Sequence, residues 1–296
     1  MIRVRTLQPG DENVLEALLV QHADTSMFMR SNLRLGGLRD EGKTFQATWA
    51  GAFDGAALVA VAAHAWNENL VLQAPRALPE VVRHAVGASG RRLRGIVGAW
   101  SQVIAARATL GLENRPASLV SHDDLFALDV AALAVPAALA RGDVRVRLAG
   151  DADRERITRW RSAYRVELLG HPADDPDVDA SSARELEPLL LQQSCFLLEA
   201  AGEPVAFSAF NARLPDCVQI GGVFTPPALR GRGYARAVVA GSLLAARAQG
   251  VPRSILFTGK DNAFARRAYL ALGYRVVGDY GIVFFAEPRS APSGSA

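Results

Sequence analysis

The second half of the chain alternates between apolar runs with strand-like spacing and longer segments with helical spacing. Residues 195–213, "CFLLEAAGEPVAFSAFNAR", predict a hairpin that turns at Gly202-Glu203. The next run, "CVQIGGVF" at 217–224, predicts a further strand. A helical pattern then covers residues 233–249, and Gly250 is positioned to end it. This order predicts a sheet with helices inserted between its strands.

The pattern continues with another strand, a helix and a closing β segment. Residues 254–258 predict a short buried strand. Residues 262–272 predict a helix with Asn262 as its N-cap and Gly273 beyond its end. Residues 274–285, "YRVVGDYGIVFF", predict two short strands, and we expect the small, polar tail at 287–296 to be disordered.

The start of the chain has an internal echo. "IRVRTLQPGDENVLEALL" at 2–19 and "VRVRLAGDADRERITRW" at 144–160 each predict a strand, a turn and a helix. Such an echo also arises when two unrelated segments share a common opening, but its spacing of about half the chain favours two domains on one plan. We therefore expect an α/β protein with α+β mixed sheets, divided into domains 1–141 and 142–286.

Composition narrows the class of protein. Half of the 296 residues are hydrophobic, 21% are charged and the net charge is +3, which is typical of globular chains. The small charge and the lack of basic runs with interleaved aromatic residues argue against a nucleic-acid partner. Cys195 and Cys217 show no metal-site spacing, so we expect no metal. No apolar run reaches about 18 residues and no leader pattern is present, so we expect a cytoplasmic protein without membrane spans.

The stretch "TPPALRGRGYARAVVAG" at 225–241 has the chemistry of an anion site. Pro226-Pro227 cannot donate to a strand ladder, so regular pairing ends there. Gly231 and Gly233 let the backbone approach a ligand at the start of a helix, where N–H groups are free and the helix dipole is positive. A phosphate or pyrophosphate fits such a cradle.

The charges around this stretch favour the same ligand. Residues 217–260 contain no Asp or Glu, although the chain has 30 acids. The window holds six cations: Arg230, Arg232, Arg236, Arg247, Arg253 and Lys260. A dinucleotide fingerprint would need glycine at Arg236, and a Walker loop would need a Gly-Lys-Ser/Thr sequence, so both readings fail.

Two motifs in this region resemble the GNAT superfamily of acyl-CoA-dependent N-acyltransferases. Arg230-x-x-Gly233-x-Ala235 matches the family's pyrophosphate loop. Asn262, followed by Ala268-Tyr269 and Gly273-Tyr274, matches its second conserved segment in the expected order. The detailed match covers about residues 205–285. The echo fits the family's two-domain branch, which implies tandem GNAT-like domains with the acetyl-CoA site in the second.

The resemblance implies a role for each matched residue. The strand end at Val223, Phe224 and Thr225 would splay from its neighbour and pair with the pantetheine arm. Asn262 would bond the pantetheine side or an ordered water, besides capping its helix. Tyr269 would act as the acid that protonates the CoA thiolate after amine attack. The pyrophosphate loop would comprise Arg230, Gly231, Arg232, Gly233, Tyr234, Ala235 and Arg236.

The general base and the acceptor stay open. The strand before the loop has Gln219 where some GNAT enzymes have a glutamate, and Glu199, Asp216 or a chain of waters are the alternatives. The acceptor is expected to be a small-molecule or peptide amine. Trp160, Tyr164 and His171 are candidates for its pocket, although core packing or a surface position is the simpler reading of each.

Several further expectations complete the prediction. The acid-rich stretch at 171–188 is expected to be a solvated loop, or else a lid that attracts a cationic amine. The N-terminal half has Arg92-x-x-Gly95, but Val97 stands where the pyrophosphate loop has a small residue. We therefore predict that this half is a degenerate GNAT-like domain that has lost cofactor binding. A homodimer is possible. The alternatives to an N-acetyltransferase are a non-catalytic acyl-CoA sensor and an interaction protein whose arginine-rich loop binds another polyanion.

Overall fold

The computed structural model describes residues 2–286, so the tail at 287–296, predicted to be disordered, lies outside the described residues. The chain forms two compact units. The N-terminal unit runs to His122 and also includes residues 281–286, and the C-terminal unit comprises Asp123–Tyr280. We describe each unit by itself.

The N-terminal unit is a mixed sheet with helices between its strands. Its strands are β1 (Ile2–Thr6), β2 (Ala47–Asp54), β3 (Ala57–Ala65), β4 (Asn69–Gln73) and β5 (Gly95–Gly98). Its helices are α1 (Glu12–Gln21), α2 (Met27–Gly36), α3 (Leu78–Ser89) and α4 (Trp100–Thr109). The strands follow chain order across the sheet, and residues 281–284 add a last antiparallel strand beside β5.

The C-terminal unit repeats this arrangement. The strand β6 (Ala117–Asp129) enters it from residue 123, and the remaining strands are β7 (Val144–Leu148), β8 (Cys195–Ala200), β9 (Glu203–Arg213), β10 (Cys217–Phe224), β11 (Arg253–Gly259) and β12 (Arg275–Phe285). The helices are α5 (Ala137–Ala140), α6 (Arg154–Leu169), α7 (Val178–Leu191), α8 (Tyr234–Ala248) and α9 (Ala263–Leu270). The sheet order is β7-β8-β9-β10-β11-β6.

The two units share one plan, which confirms the fold predicted from the echo. In each unit the only parallel neighbours among the strands described above are the fourth and fifth, and they pair over three positions before diverging. The last strand of each sheet then pairs antiparallel with the fifth. Residues 123–141 belong to the C-terminal unit, where β6 pairs with β11. The domain bounds 1–141 and 142–286 remain a prediction.

Apolar residues of the C-terminal unit cover both faces of its sheet. On one face, Val238 and Leu243 of α8 are fully buried in a core that includes Val218 and Tyr269. On the other face, Ile157 of α6 packs with Leu186, Leu197 and Phe207. The helices therefore pack on both faces of the sheet, and both α6 and α8 contact β10.

The structure corrects two local predictions. Residues 275–285 form the single strand β12 instead of two short ones, since residues 281–284 continue into a ladder with β5. The stretch predicted as a solvated loop is helical from Val178, because Leu186 of α7 is fully buried against the sheet. Its carboxylates lie on the outer side of an amphipathic helix.

Candidate active site

The parallel strands β10 and β11 diverge where the motif begins. They pair at Cys217, Val218 and Gln219, and β10 then continues to Phe224 without pairing with β11 in the described part of the chain. A register shift against β9 and a positive φ of 60° at Gly222 mark a bulge in the same stretch. Bulges of this kind bend a strand and interrupt its ladder. The result is a cleft between two strands, lined by backbone N–H and C=O groups.

The end of β10 carries an unpaired polar group. Thr225 is 8% exposed, and its buried Oγ1 has no hydrogen-bond partner among the described residues. Phe224 is buried and lies near Trp160 of α6, with 6.3 Å between ring centroids, so its side chain belongs to the core. Val223 is half-buried. Of the three predicted residues, Thr225 therefore offers its side-chain hydroxyl to a ligand, whereas Phe224 pairs with Phe207 of β9.

Arg230 holds the following loop in place. Its Nε donates to the carbonyl of Thr225 at 2.9 Å, and its two terminal nitrogens bond both carboxylate oxygens of Glu167 on α6 at 2.7 Å. The guanidinium lowers the pKa of the Glu167 carboxyl. The backbone N–H of Arg230 bonds Pro227 O. The Arg230 side chain thus fixes the loop to α6 and does not extend toward the cradle.

The glycines shape the start of α8. Gly231 and Gly233 have φ angles of 79° and 78°, which favour glycine, and a Cβ on Gly231 would meet nothing within 4 Å. Gly233 is the N-cap of α8, and no side chain caps the helix. The first bond of the helix runs from Ala237 N to Gly233 O, so the N–H groups of the preceding first-turn residues face open space. This geometry fits a pyrophosphate, because donors and a positive dipole converge on an uncapped end.

The remaining loop residues surround these N–H groups. Arg232 and Arg236 are exposed, and the Arg236 guanidinium lies 3.8 Å from the position a Cβ on Gly233 would take. Neither arginine pairs with a carboxylate in the described part of the chain. Tyr234 and Ala235 open the helix and are half-buried. Two solvent-facing cations therefore stand beside the N–H cradle.

Asn262 has the capping role that its sequence context predicts. Its side-chain oxygen accepts from the Ala265 N–H at 3.1 Å at the start of α9. That bond commits the oxygen to the helix and leaves the amide nitrogen as the group available to a ligand. The helix ends at Leu270, and Gly273 takes a positive φ of 97° beyond it.

Tyr269 lies against the sheet on the α8 side. It is 9% exposed, and its ring lies 6.0 Å from those of both Phe126 and Tyr274. Burial raises the pKa of Tyr269, and the nearby Tyr164 of α6 raises it further. Tyr164 belongs to α6, which packs on the other face of the sheet. The raised pKa keeps the Tyr269 phenol protonated at neutral pH.

The candidate bases differ in their surroundings. Glu199 bonds Arg145 and Arg147, and these cations lower the pKa of its carboxyl, which weakens it as a base. Asp216 precedes the first residue of β10, on the order of 25 Å from the loop at the strand's other end. Gln219 ends the paired part of β10 and is 1% exposed, with its Oε1 unpartnered among the described residues. The structure thus places an amide, and neither carboxylate, at the vertex of the cleft.

Other groups near the cleft were not singled out by the sequence. Arg161 and Arg165 of α6 both bond Glu185 of α7, and Arg161 Nη1 lies 3.5 Å from the position a Cβ on Gly222 would take. Asp123 on β6 is 4% exposed and raises the pKa of Tyr164. The i, i+4 spacing of the two arginines was the available signal, but it is common on exposed helices.

The described residues show neither a metal-binding group nor a helix that could span a membrane. The described residues contain no group of three or more His, Cys, Asp or Glu side chains placed to hold a metal ion. Within residues 2–286, every helix is too short or too polar to cross a membrane.

Comparisons with known proteins identify the fold. A family model described as "Acetyltransferase (GNAT) family" matches residues 155–274. A tandem GNAT protein from the clavulanic acid biosynthesis pathway aligns with a TM-score of 0.57 and 13% identity, covering 98% of this chain and 100% of its own. A GCN5-related N-acetyltransferase from Sphaerobacter thermophilus aligns at 0.55 and 16%, covering 95% and 94%. A GNAT-family acetyltransferase from Colwellia psychrerythraea aligns at 0.51 and 15%, covering 96% and 100%.

The search of curated proteins gave no match. At 13–16% identity the solved structures establish the fold and leave the substrate open. The family match and the structures agree in the region that contains the diverging strands and the glycine loop. Residues 155–274 thus match the model of the GNAT acetyltransferase family, and the chain as a whole has the fold of tandem GNAT proteins.

Proposed function

We propose that the protein is an N-acetyltransferase that uses acetyl-CoA and a primary amine. The observation that carries this proposal is the continuity of the cleft between β10 and β11 with the uncapped start of α8. An extended pantetheine arm needs unpaired strand groups, and a pyrophosphate needs convergent N–H donors, in this order along one path. Both occur between residues 220 and 236.

The residues for binding follow from this path. The backbone of Val223 and Thr225 would pair with the amide groups of the arm as an added strand does. The unpartnered Thr225 Oγ1 supplies a further hydrogen-bonding group. The N–H groups from Gly231 to Arg236 would take the pyrophosphate, and the exposed guanidinium groups of Arg232 and Arg236 would add charge-assisted bonds.

The acid is Tyr269 in this proposal. When bound, acetyl-CoA supplies a thioester carbonyl for the amine to attack and a thiolate as the leaving group. Tyr269 holds a proton throughout the neutral range because burial raises the pKa of its phenol. Its ring comes from α9 and that of Tyr164 from α6, and in this proposal the Tyr269 hydroxyl would point toward the reacting atoms. A placed acid typically accelerates such a step by 10²–10⁴-fold.

The amine loses its proton to water in this proposal. Glu199 is ion-paired and Asp216 lies at the far end of β10. Gln219 cannot accept a proton, but its buried Oε1 is free to orient a water or the amine at the vertex of the cleft. The amide of Gln219, in the place where a carboxylate would serve as the base, favours the alternative, a CoA-binding sensor without turnover. The cytoplasmic location and a homodimer remain predictions from the sequence.

The test compares Tyr269→Phe with the unchanged protein. We measure CoA binding by calorimetry and thiol release from acetyl-CoA with a panel of primary amines. The variant should bind CoA normally and lose about 10²–10⁴-fold in kcat, since it lacks only the phenol oxygen. Tyr280→Phe is the matched control, because Tyr280 is also buried, at 2% exposed, but lies on β12.

The possible outcomes separate the candidates. CoA binding without thiol release from any amine would favour the sensor. If the protein does not bind CoA, both the N-acetyltransferase and the CoA-binding sensor are wrong. Equal kcat in the Tyr269→Phe variant and the unchanged protein would show that another group protonates the thiolate.

A further inference from the structure

We infer that the acceptor amine also carries a carboxylate, and that Arg161 and Arg165 bind this carboxylate. This inference rests on the proposed function, because it names the class of substrate for the same cleft. It opposes the sequence-based idea that an acid-rich lid attracts a purely cationic amine. The following contacts carry it.

The two arginines are largely withdrawn from water. The side chains of Arg161 and Arg165 are 14% and 13% exposed, and the Nε atom of each is buried without a hydrogen-bond partner in the described part of the chain. A buried guanidinium is costly unless its charge and its donors are satisfied. Two such groups, one helical turn apart, indicate that something other than the protein completes their bonding.

The protein supplies one carboxylate for these two cations. Glu185 accepts from Arg161 Nη2 at 3.0 Å through one oxygen and from Arg165 Nη1 at 2.6 Å through the other. Glu185 is 52% exposed, so water weakens its hold on either partner. This bridging shows that the two guanidinium groups are spaced to share a carboxylate, and it leaves one positive charge in excess.

The neighbouring ionisable groups do not remove that excess. His171 Nε2 accepts from Arg165 Nη2 at 3.2 Å. Burial and Arg165 lower the pKa of His171, so the ring is neutral near pH 7. Burial raises the pKa of Tyr164, and it raises the pKa of Cys195 to about 12, so both are uncharged. Two further acids lie nearby. Asp175 Oδ2 is 3.9 Å from His171 Nδ1, on the side of the ring away from Arg165, and Asp123 lies on β6, two strands away from β10.

Arg161 also faces the strand that would hold the thioester arm. Its Nη1, which Glu185 does not use, lies 3.5 Å from the Cβ position of Gly222. Gly222 directly precedes Val223, the first predicted pantetheine contact. A carboxylate on Arg161 Nη1 would therefore lie within a few bonds of an amine at the thioester. An amino acid or a short peptide with a free carboxylate has this arrangement, and the planar guanidinium matches its two oxygens.

A competing explanation is that Glu185 and the arginines only join α6 to α7. Such a clamp predicts that substitutions change stability equally for every acceptor. A carboxylate site predicts instead that they change the preference for acids over amides. The test therefore measures the ratio of kcat/KM for amino acids to kcat/KM for their amides. A loss of folded protein lowers both values equally and leaves this ratio unchanged.

The experiment uses pairs that differ in one group. Thiol release is measured with amino acids and with the corresponding amino-acid amides, and thermal shifts are measured with N-acetylglycine and N-acetylglycinamide in the presence of CoA. The unchanged protein should prefer the acid by about 10- to 100-fold in kcat/KM, as expected for charge-assisted hydrogen bonds. Arg161→Gln should reduce this ratio to near one, and Arg161→Lys should restore part of it.

Two further variants sharpen the result. Arg159→Gln is the matched control on α6, because Arg159 is 67% exposed and paired at 3.8 Å with Glu155, and it should leave the ratio unchanged. Glu185→Gln removes the competing carboxylate and should raise the acid-over-amide ratio, whereas the loss of a helix clamp alone would not.

The outcomes distinguish this inference from the proposed function. If acids and amides show equal rates and equal thermal shifts in the unchanged protein, the inference is wrong, whether or not amines are acetylated. If no amine releases thiol, the proposed function fails, and the thermal-shift pair alone decides whether the arginines bind a carboxylate.

Discussion

At the scale of single residues, the glycines of the loop define the candidate CoA site more directly than its arginines do. Gly231 and Gly233 both have positive φ angles, and Gly233 leaves the first turn of α8 uncapped. Arg230, although part of the recognised motif, bonds Glu167 and the Thr225 carbonyl. A motif residue can therefore serve a site by fixing the loop that binds the ligand.

Replacing Gly233 by aspartate should block CoA while keeping the fold. Aspartate tolerates a left-handed backbone better than most residues and is a favoured N-cap, so its carboxylate should occupy the N–H groups meant for pyrophosphate. We expect at least a tenfold rise in the Kd for CoA, measured by calorimetry. Gly250→Asp is the control, with a φ of 81° and open space around its Cβ at the other end of α8. Equal affinities in the two variants would exclude this loop as the pyrophosphate site.

At the scale of elements, the sequence predicted the parts whose signal is local. The strand β10 has the predicted bounds, and α9 begins after the predicted N-cap Asn262. The course of β12 was not predictable, because residues 281–284 pair with β5, almost 190 positions earlier in the chain. Likewise, Arg161 and Glu185 are brought together only by the packing of α6 on α7. Local periodicity contains no information about such distant partners.

The packing of α8 on β7 gives a prediction at this scale. A Cβ at Gly241 would overlap with the side chain of Val146. Gly241→Ala should therefore lower the free energy of unfolding by about 1–3 kcal/mol through overpacking, although alanine favours helices by about 1 kcal/mol. Denaturant unfolding measures the change. Adding Val146→Ala should recover most of the loss.

A matched glycine separates packing from helix propensity. Gly87 lies in α3, and a Cβ there would meet nothing within 4 Å. Gly87→Ala should stabilise the protein by up to about 1 kcal/mol. If Gly241→Ala stabilised the protein to the same extent, α8 and β7 would not be in close contact at Gly241 and Val146.

At the scale of the whole molecule, each sheet is completed by a strand that belongs, in chain order, to the other half. The strand β6 follows the last helix of the first half, and its residues 123–129 pair with all of β11. Residues 281–284 follow the last helix of the second half and pair with β5. A cut between the predicted domains, after residue 141, therefore removes one strand from each unit's sheet.

Fragments of the chain should show whether each half depends on the strand that the other half supplies. Fragment 142–296 lacks β6, so the backbone groups of β11 from Arg253 to Gly259 lose their partners and form an exposed edge, which favours aggregation. Fragment 117–296 keeps β6 and should be soluble and bind CoA, as measured by calorimetry after gel filtration. Because each half supplies the strand that the other lacks, fragments 1–141 and 142–296 should copurify when expressed together and recover CoA binding. If fragment 142–296 alone bound CoA as tightly as fragment 117–296, pairing with β6 would not be needed to hold β11 beside the cleft.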